Sequence, residues 1–328
     1  MAWLEVEITP RSGFVTPLNG GTLFGQWCSM LGSRARRQLT GLLQGYTAHR
    51  PFAVVGDPRP QGYLPRPTLP MYRFETVQEL SSKEAKARLW MPEAGAAGLH
   101  LEAWLSECRS ERDLLEGAPA GGTWRQERFH AQRRGRSDSL RGAAEHGQEE
   151  TWFHPGIRMV VDVILDDDRI DAPTFLGLLE ELGWQGYGAG ASRGAGRFEL
   201  AGATPRTWRA AAGKEVLLTL GHCTPLKVGV TLQRNSSYRA VVHHGRHGAL
   251  GAGPAQDTRV VKAPILLALP GAVLAPPAGY ALPFYGRGLG GDGSLSLAAP
   301  STVHQGYAPV VPVKLKHYRD DEAEEGSA

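Results

Sequence analysis

The residues of this chain best able to do chemistry together lie between positions 186 and 196. The segment reads Gly186-Tyr187-Gly188-Ala189-Gly190-Ala191-Ser192-Arg193-Gly194-Ala195-Gly196 and runs into Arg197-Phe198. Glycine lacks a Cβ, so another backbone can approach closely and φ can be positive. Successive free N–H groups in such a loop form a concavity that binds anions. Ser192 and Arg193 add side-chain donors, and the set suits a phosphodiester backbone. A purely structural glycine turn is the competing reading, and residue types alone leave both open.

Nucleotide-binding loops are excluded by order. A dinucleotide fingerprint places its glycines between a strand and the following helix. Here Pro173, Phe175, Leu178, Leu179 and Leu182 predict a helix over 172–182, before the glycines, and 197–200 reads as the strand after them. A nucleoside-triphosphate loop would also need a closing Gly-Lys-Ser/Thr, which is absent. Upstream, Ile157, Met159, Val161, Val163 and Leu165 alternate as a strand. The glycine segment thus closes a strand–helix–loop–strand unit.

Basic residues supply further candidates. Arg34, Arg36 and Arg37 open a helical piece expected over 33–43, after a break at Gly32; a solvated helix face competes with phosphate contact there. Residues 125–141 carry Arg125, Arg128, Arg133, Arg134, Arg136 and Arg141 against only Glu127 and Asp138. No helical period runs through them, so a flexible or hairpin-like projection is expected. Trp124 and Phe129 beside it could stack on bases or fill a core.

Acid–base and metal chemistry find less support. His243-His244-Gly245-Arg246-His247 is the densest histidine cluster, but adjacent strand residues point to opposite faces, and a polar hairpin tip is the expectation. His222-Cys223 reads as a core or loop pair, and Asp166-Asp167-Asp168 as a turn. Cys28, Cys108 and Cys223 are too far apart for a thiolate zinc site or a disulfide framework. No catalytic residue, metal site or cofactor is expected.

The remaining elements frame these segments. Residues 2–9 alternate as a strand, and 22–31 places Leu23, Phe24, Trp27, Cys28 and Leu31 on one helical stripe. Six prolines between 51 and 70 require an extended connection. Helices are expected over 81–90 and 99–115, and a loop over 117–122. Strands are expected over 215–220, 226–232, 260–269 and 310–315, interrupted by a second glycine-rich stretch at 285–293. Residues 319–328 read as a disordered acidic tail.

The chain has 328 residues and is 41% hydrophobic, enough for two domain cores or for one large one. A net charge of +3 is too small to declare nucleic-acid binding by itself. Most of the 36 basic residues are arginine, whose planar fork matches phosphate and stacks on bases; a GC-rich genome would raise arginine, alanine and glycine together. The N-terminus lacks a basic signal-peptide region and no apolar run is long enough for a bilayer, so the expectation is a soluble cytoplasmic protein with no membrane contact.

The order strand, helix, Gly-x-Gly, then Gly-x-Gly-Arg-Phe into a strand resembles the RAMP superfamily of CRISPR proteins, built on ferredoxin-like (RNA-recognition-motif-like) folds. Thr16-Pro17 through Thr22-Leu23-Phe24-Gly25 is similar to the start of the type III effector subunits called subunit four of the Csm complex, a Cas five-like group. Asn19-Gly20-Gly21 stands where a Ser-Asp pair is common in that group. Residues 51–58, Leu64-Pro65-Arg66-Pro67 and His304-Gln305-Gly306-Tyr307-Ala308-Pro309 also resemble it.

The resemblance implies an α+β protein of two ferredoxin-like domains, 1–203 with insertions and 204–318. It implies a non-catalytic subunit that binds the 5′ tag of the guide RNA (crRNA), joins the large polymerase-like subunit to the backbone RAMP subunits in antiviral defence, and meets target RNA only indirectly. Gly186, Gly188, Gly190, Ser192, Arg193, Gly194 and Gly196 would contact the tag. Arg128, Arg133, Arg134 and Arg136 would lie in a projecting insertion, and Arg34 and Arg37 are further RNA candidates. The rival enzyme reading is a RAMP endoribonuclease that cuts repeat RNA. It is disfavoured because more than a hundred residues follow the glycine loop, which in those nucleases lies near the C-terminus. A third reading is a structural assembly subunit that scarcely touches RNA.

Overall fold

The computed structural model describes residues 1–76, 80–115, 124–132, 146–156, 158–225, 235–246, 261–277 and 279–318. Arg133, Arg134, Arg136, His247, the 117–122 loop, the 226–232 strand and the acidic tail lie outside these residues.

Strand β1 (Ala2–Pro10) leads to helix α1 (Gly20–Arg34), whose first turn is capped when Asn19 Oδ1 accepts from the Thr22 amide at 2.8 Å. The apolar stripe Leu23, Phe24, Trp27, Cys28 and Leu31 is buried, as its spacing predicts. The expected break at Gly32 is not there. A single glycine costs a helix only about 1 kcal/mol, and α1 continues to Arg34 before turning at Ala35 into α2 (Arg36–Leu43).

The proline-rich stretch is extended, in short strands β2 (Ala53–Val55), β3 (Arg59–Pro60) and β4 (Tyr63–Pro65). The helix expected at 81–90 forms over six residues, and the one expected at 99–115 is broken into short turns. A capping box from Ser81 and Glu84 starts α3 (Ser82–Ala87), but β5 (Arg88–Pro92) takes over to pair with β4. After α4 (Glu93–Ala96), only α5 (Trp104–Glu107) is α-helical, because the chain must then extend as β6 (Arg109–Ser110) beside β5. Pairing across the sheet overrides local helical preference here.

A hairpin of β7 (Arg125–Gln132) and β8 (His146–Phe153) follows, then β9 (Met159–Leu165), α6 (Ala172–Gln185) and β10 (Phe198–Pro205). β1, α1, β2, β9, α6 and β10 run strand, helix, strand, strand, helix, strand, and the sheet order is β10-β1-β9-β2, antiparallel throughout. All seven residues of β9 are buried at the centre of this sheet. Leu4 and Val6 pair with Val163 and Val161, which gives the sheet one continuous apolar face.

Beyond β10 the described residues form strands and no helix: β11 (Glu215–Thr219), β12 (Ala240–His243), β13 (Ile265–Ala268), β14 (Val273–Leu274), β15 (Phe284–Gly286), β16 (Leu289–Gly290), β17 (Val303–His304) and β18 (Tyr307–Lys314). The second sheet runs β14-β11-β18-β15. The architecture is α+β, with several small antiparallel sheets. Buried side chains from both halves, including Val54, Val163, Val216, Leu218 and Phe284, belong to one apolar cluster. Residues 55–57 thread between the halves. Asp57 N–H donates to Leu220 O, and Gln305 bonds both backbone groups of Val55 at 2.8 and 2.6 Å.

Candidate nucleic-acid interface

The glycine segment leaves the end of α6 and folds back on residues 12–19. Tyr187 is its anchor. Its ring is fully buried, its hydroxyl donates to Pro17 O at 2.8 Å, and the same oxygen accepts from the Asn19 amide at 3.2 Å. Ala189 N–H donates to Thr16 Oγ1, Gly196 N–H to Gly13 O and Arg197 N–H to Ser12 Oγ, each at 2.8 Å. A Cβ at Gly196, where φ is 73°, would collide with the carbonyl of Tyr187; one at Gly188, where φ is 75°, would sit 2.5 Å from Thr16. These two glycines are required by the fold itself.

Free amides therefore do not line the whole segment. Eight are spent: those of Gly186, Tyr187, Ala189, Arg193, Gly194, Ala195, Gly196 and Arg197. The amides of Gly188, Gly190, Ala191 and Ser192 have no hydrogen-bond partner among the described residues. They cluster around a single 3₁₀ turn, Ala191–Arg193, flanked by left-handed Gly190 and Gly194. Ser192 and Arg193 are exposed on it, and a Cβ at Gly194 would meet open space. The part of the segment whose amides remain available to an anion narrows to residues 188–194.

The basic stretch is a hairpin over its described part. Arg128 pairs across the strands with Glu150, and its guanidinium lies over the Trp152 ring at 5.0 Å. Phe129 is 68% exposed, whereas Trp124 is buried edge-on against Trp90. The stacking reading therefore survives for Phe129 and fails for Trp124. Sequence spacing gave no hint that loop and hairpin meet. Gly13, which accepts the Gly196 amide, also packs so closely on Trp152 that a Cβ would fall 2.5 Å from Nε1. Phe14 then pairs with Thr151 of β8 in both directions. Residues 12–16 are the missed element that links the β7–β8 hairpin to the glycine segment.

Arg34 does not join it. Its guanidinium is held by both carboxylate oxygens of Glu181, which also raises its pKa, so it staples α1 to α6. Arg37 stands exposed on α2.

The histidines are regrouped. His222 is not an isolated pair-mate of Cys223: its Nδ1 lies 2.5 Å from Asp57 Oδ2. Burial opposes the charge on His222, but Asp57 outweighs it and raises the pKa. His243 ends β12, as a hairpin position would, yet its ring packs on His304 with centroids 5.1 Å apart. Of the aspartates at 166–168, Asp167 pairs with the terminal ammonium at 2.6 Å.

No protein-family model matches this chain, and no curated protein matches it in sequence. Solved structures do. A chain of the Csm1-Csm4 cassette in complex with pppApA superposes with a TM-score of 0.58, covering 97% of this chain and 100% of that one at 14% identity. A chain of the Csm3-Csm4 subcomplex in the type III-A CRISPR-Cas interference complex gives 0.57, with 96% and 100% covered at 12% identity. The cassette in complex with AMPPNP also gives 0.57. At such identities the likeness is one of fold, and it runs from end to end. The resemblance seen in separated motifs thus holds for the fold over 97% of the chain, which is Csm4-like.

Proposed function

We propose that this chain is a non-catalytic subunit of a type III CRISPR effector that grips the 5′ tag of the guide RNA and joins a large polymerase-like subunit to RAMP backbone subunits. The observation carrying this reading is the end-to-end fold match to chains from both a Csm1-Csm4 and a Csm3-Csm4 assembly. Csm4 is the component common to the two, so a subunit of that fold meets two different neighbours. The strand–helix–strand–strand–helix–strand order of residues 2–205 supports a ferredoxin-like RAMP domain there.

The RNA reading rests on Ser192 and Arg193 of the turn and on the neighbouring hairpin, which offers Arg128 on one face and the exposed Phe129 on the other. It combines amides and arginines for phosphates with a ring for base stacking. Substituting Arg193→Glu should weaken binding of a tag-bearing guide RNA by at least about tenfold, as loss of a charge-assisted contact implies. It should also flatten the salt dependence of affinity. Unchanged affinity would instead favour the purely structural assembly role. Specific metal-independent cleavage of labelled repeat RNA, lost on His222→Ala, would overturn the non-catalytic reading. Co-purification with the large and backbone subunits tests the linking role separately.

A further inference from the structure

Around the first turn of α1 lies a second group of polar side chains that the interface above does not use. Gly20 N–H donates to Asp57 Oδ1 at 2.9 Å, and Asp57 Oδ2 holds His222. Gly21 follows with no side chain. His304 Nε2 fills that side of the helix, 3.2 Å from where a Gly21 Cβ would stand. His304 is only 8% exposed, and this buried nitrogen has no hydrogen-bond partner among the described residues. A buried, unsatisfied ring nitrogen is destabilising unless something supplies the missing partner.

The neighbouring groups define what that partner is. His243 packs on His304. The Lys262 side chain passes beside it: Lys262 Cδ and His243 Nε2 lie 3.2 and 3.8 Å from the Cβ position of Gly245. Burial holds His304 neutral, down to about 3, and the nearby His243, Lys262 and His222 add to the shift. Burial likewise lowers the pKa of Lys262, which has no carboxylate partner among the described residues. One turn on from Gly21, Gly25 faces open space. Asp57 takes the Gly20 amide and pairs with His222, and Asn19 caps the Thr22 amide, which leaves the Gly21 amide and the Lys262 ammonium without a partner among the described residues.

We propose that these residues form a phosphate-binding pocket, with His304 Nε2, His243, Lys262 and the Gly21 amide converging on one phosphate group. A cation does not fit beside an ammonium and a helix N-terminus. A tetrahedral phosphate offers acceptor oxygens in several directions, which matches donors arriving from a helix, two imidazoles and a lysine. The pocket stands on its own geometry and does not depend on the RNA reading of the glycine loop.

The test is a titration of the full-length chain with inorganic phosphate, followed through the imidazole NMR signals. The signals of His304 and His243 should shift saturably, that of the exposed His317 should not, and matched potassium chloride should have no effect. Lys262→Gln, checked for folding by circular dichroism, should weaken phosphate binding about tenfold. Shifts that fail to saturate, that chloride reproduces, or that Lys262→Gln leaves unaltered overturn the pocket. A short single-stranded RNA in competition identifies the source. Displacement of phosphate with the His304 shift retained assigns the pocket to a polynucleotide phosphate, and independent binding of both assigns it to free phosphate. Arg193→Glu should leave the phosphate titration unchanged, so failure here is separable from failure of the RNA reading.

Discussion

Gly188, Gly194 and Gly196 share a left-handed backbone but do different work. Gly196 and Gly188 are confined by Tyr187 and Thr16, while Gly194 has free space where a side chain would go. Gly194→Ala should cost only the conformational penalty of about 1–2 kcal/mol. Gly196→Ala adds a collision with backbone and should cost clearly more; equal urea midpoints for the two variants would refute this division. His222 and His304 make opposite contributions to pH dependence. The raised pKa of His222 stabilises the fold below its ordinary value of 6.5, and this contribution is lost as pH rises through the folded-state pKa. Buried His304, depressed to about 3, stabilises above 6.5, and its contribution is lost as pH falls. The stability gap between the native chain and a His222→Gln variant should therefore narrow from pH 6 to pH 9 in urea melts.

At the scale of elements, the first sheet is fastened by a buried charge network that hydrophobic patterning gives no reason to expect. Asp162, fully buried in the central strand β9, accepts from Trp3 Nε1 and from Arg59 Nε, both at 2.8 Å. Arg59 is itself 2% exposed and also reaches Glu5, which Arg206 contacts in turn. Burial works against the Arg59 charge, but Asp162, Glu93 and Glu5 together more than offset it and the pKa ends up raised. Asp162→Ala would strand Arg59 without its partner and should cost about 3–5 kcal/mol, measurable as a lowered urea midpoint. The alternation of β9 was legible because Val161 and Val163 sit at period two. The role of Asp162 was not, since an aspartate inside an apolar strand has meaning only once Arg59, more than a hundred residues away in sequence, is placed beside it.

At the scale of the molecule, the two halves share a core. Gln305 satisfies the backbone of Val55 across the junction, and Tyr307 donates to Tyr46 O at 2.6 Å. Unfolding should show one cooperative transition. Gln305→Ala, which leaves both Val55 groups unsatisfied, should lower that single midpoint by about 1–3 kcal/mol in stability rather than split it in two. Two separated calorimetric peaks in the native chain would contradict the shared core.

The sequence by itself determined the helices at α1 and α6, the strands β1 and β9, and the loop between α6 and β10. Each is specified by local periodicity, capping residues or glycine, all of which act over a few residues. Only the tertiary structure decided which candidates belong together. It joined the glycine loop to the hairpin through Gly13 and Phe14, withdrew Arg34 by pairing it with Glu181, and gathered His222, His243 and His304 around the start of α1. Those outcomes rest on contacts between residues far apart in the chain, where hydrogen bonding and packing act through space and leave no period in the sequence.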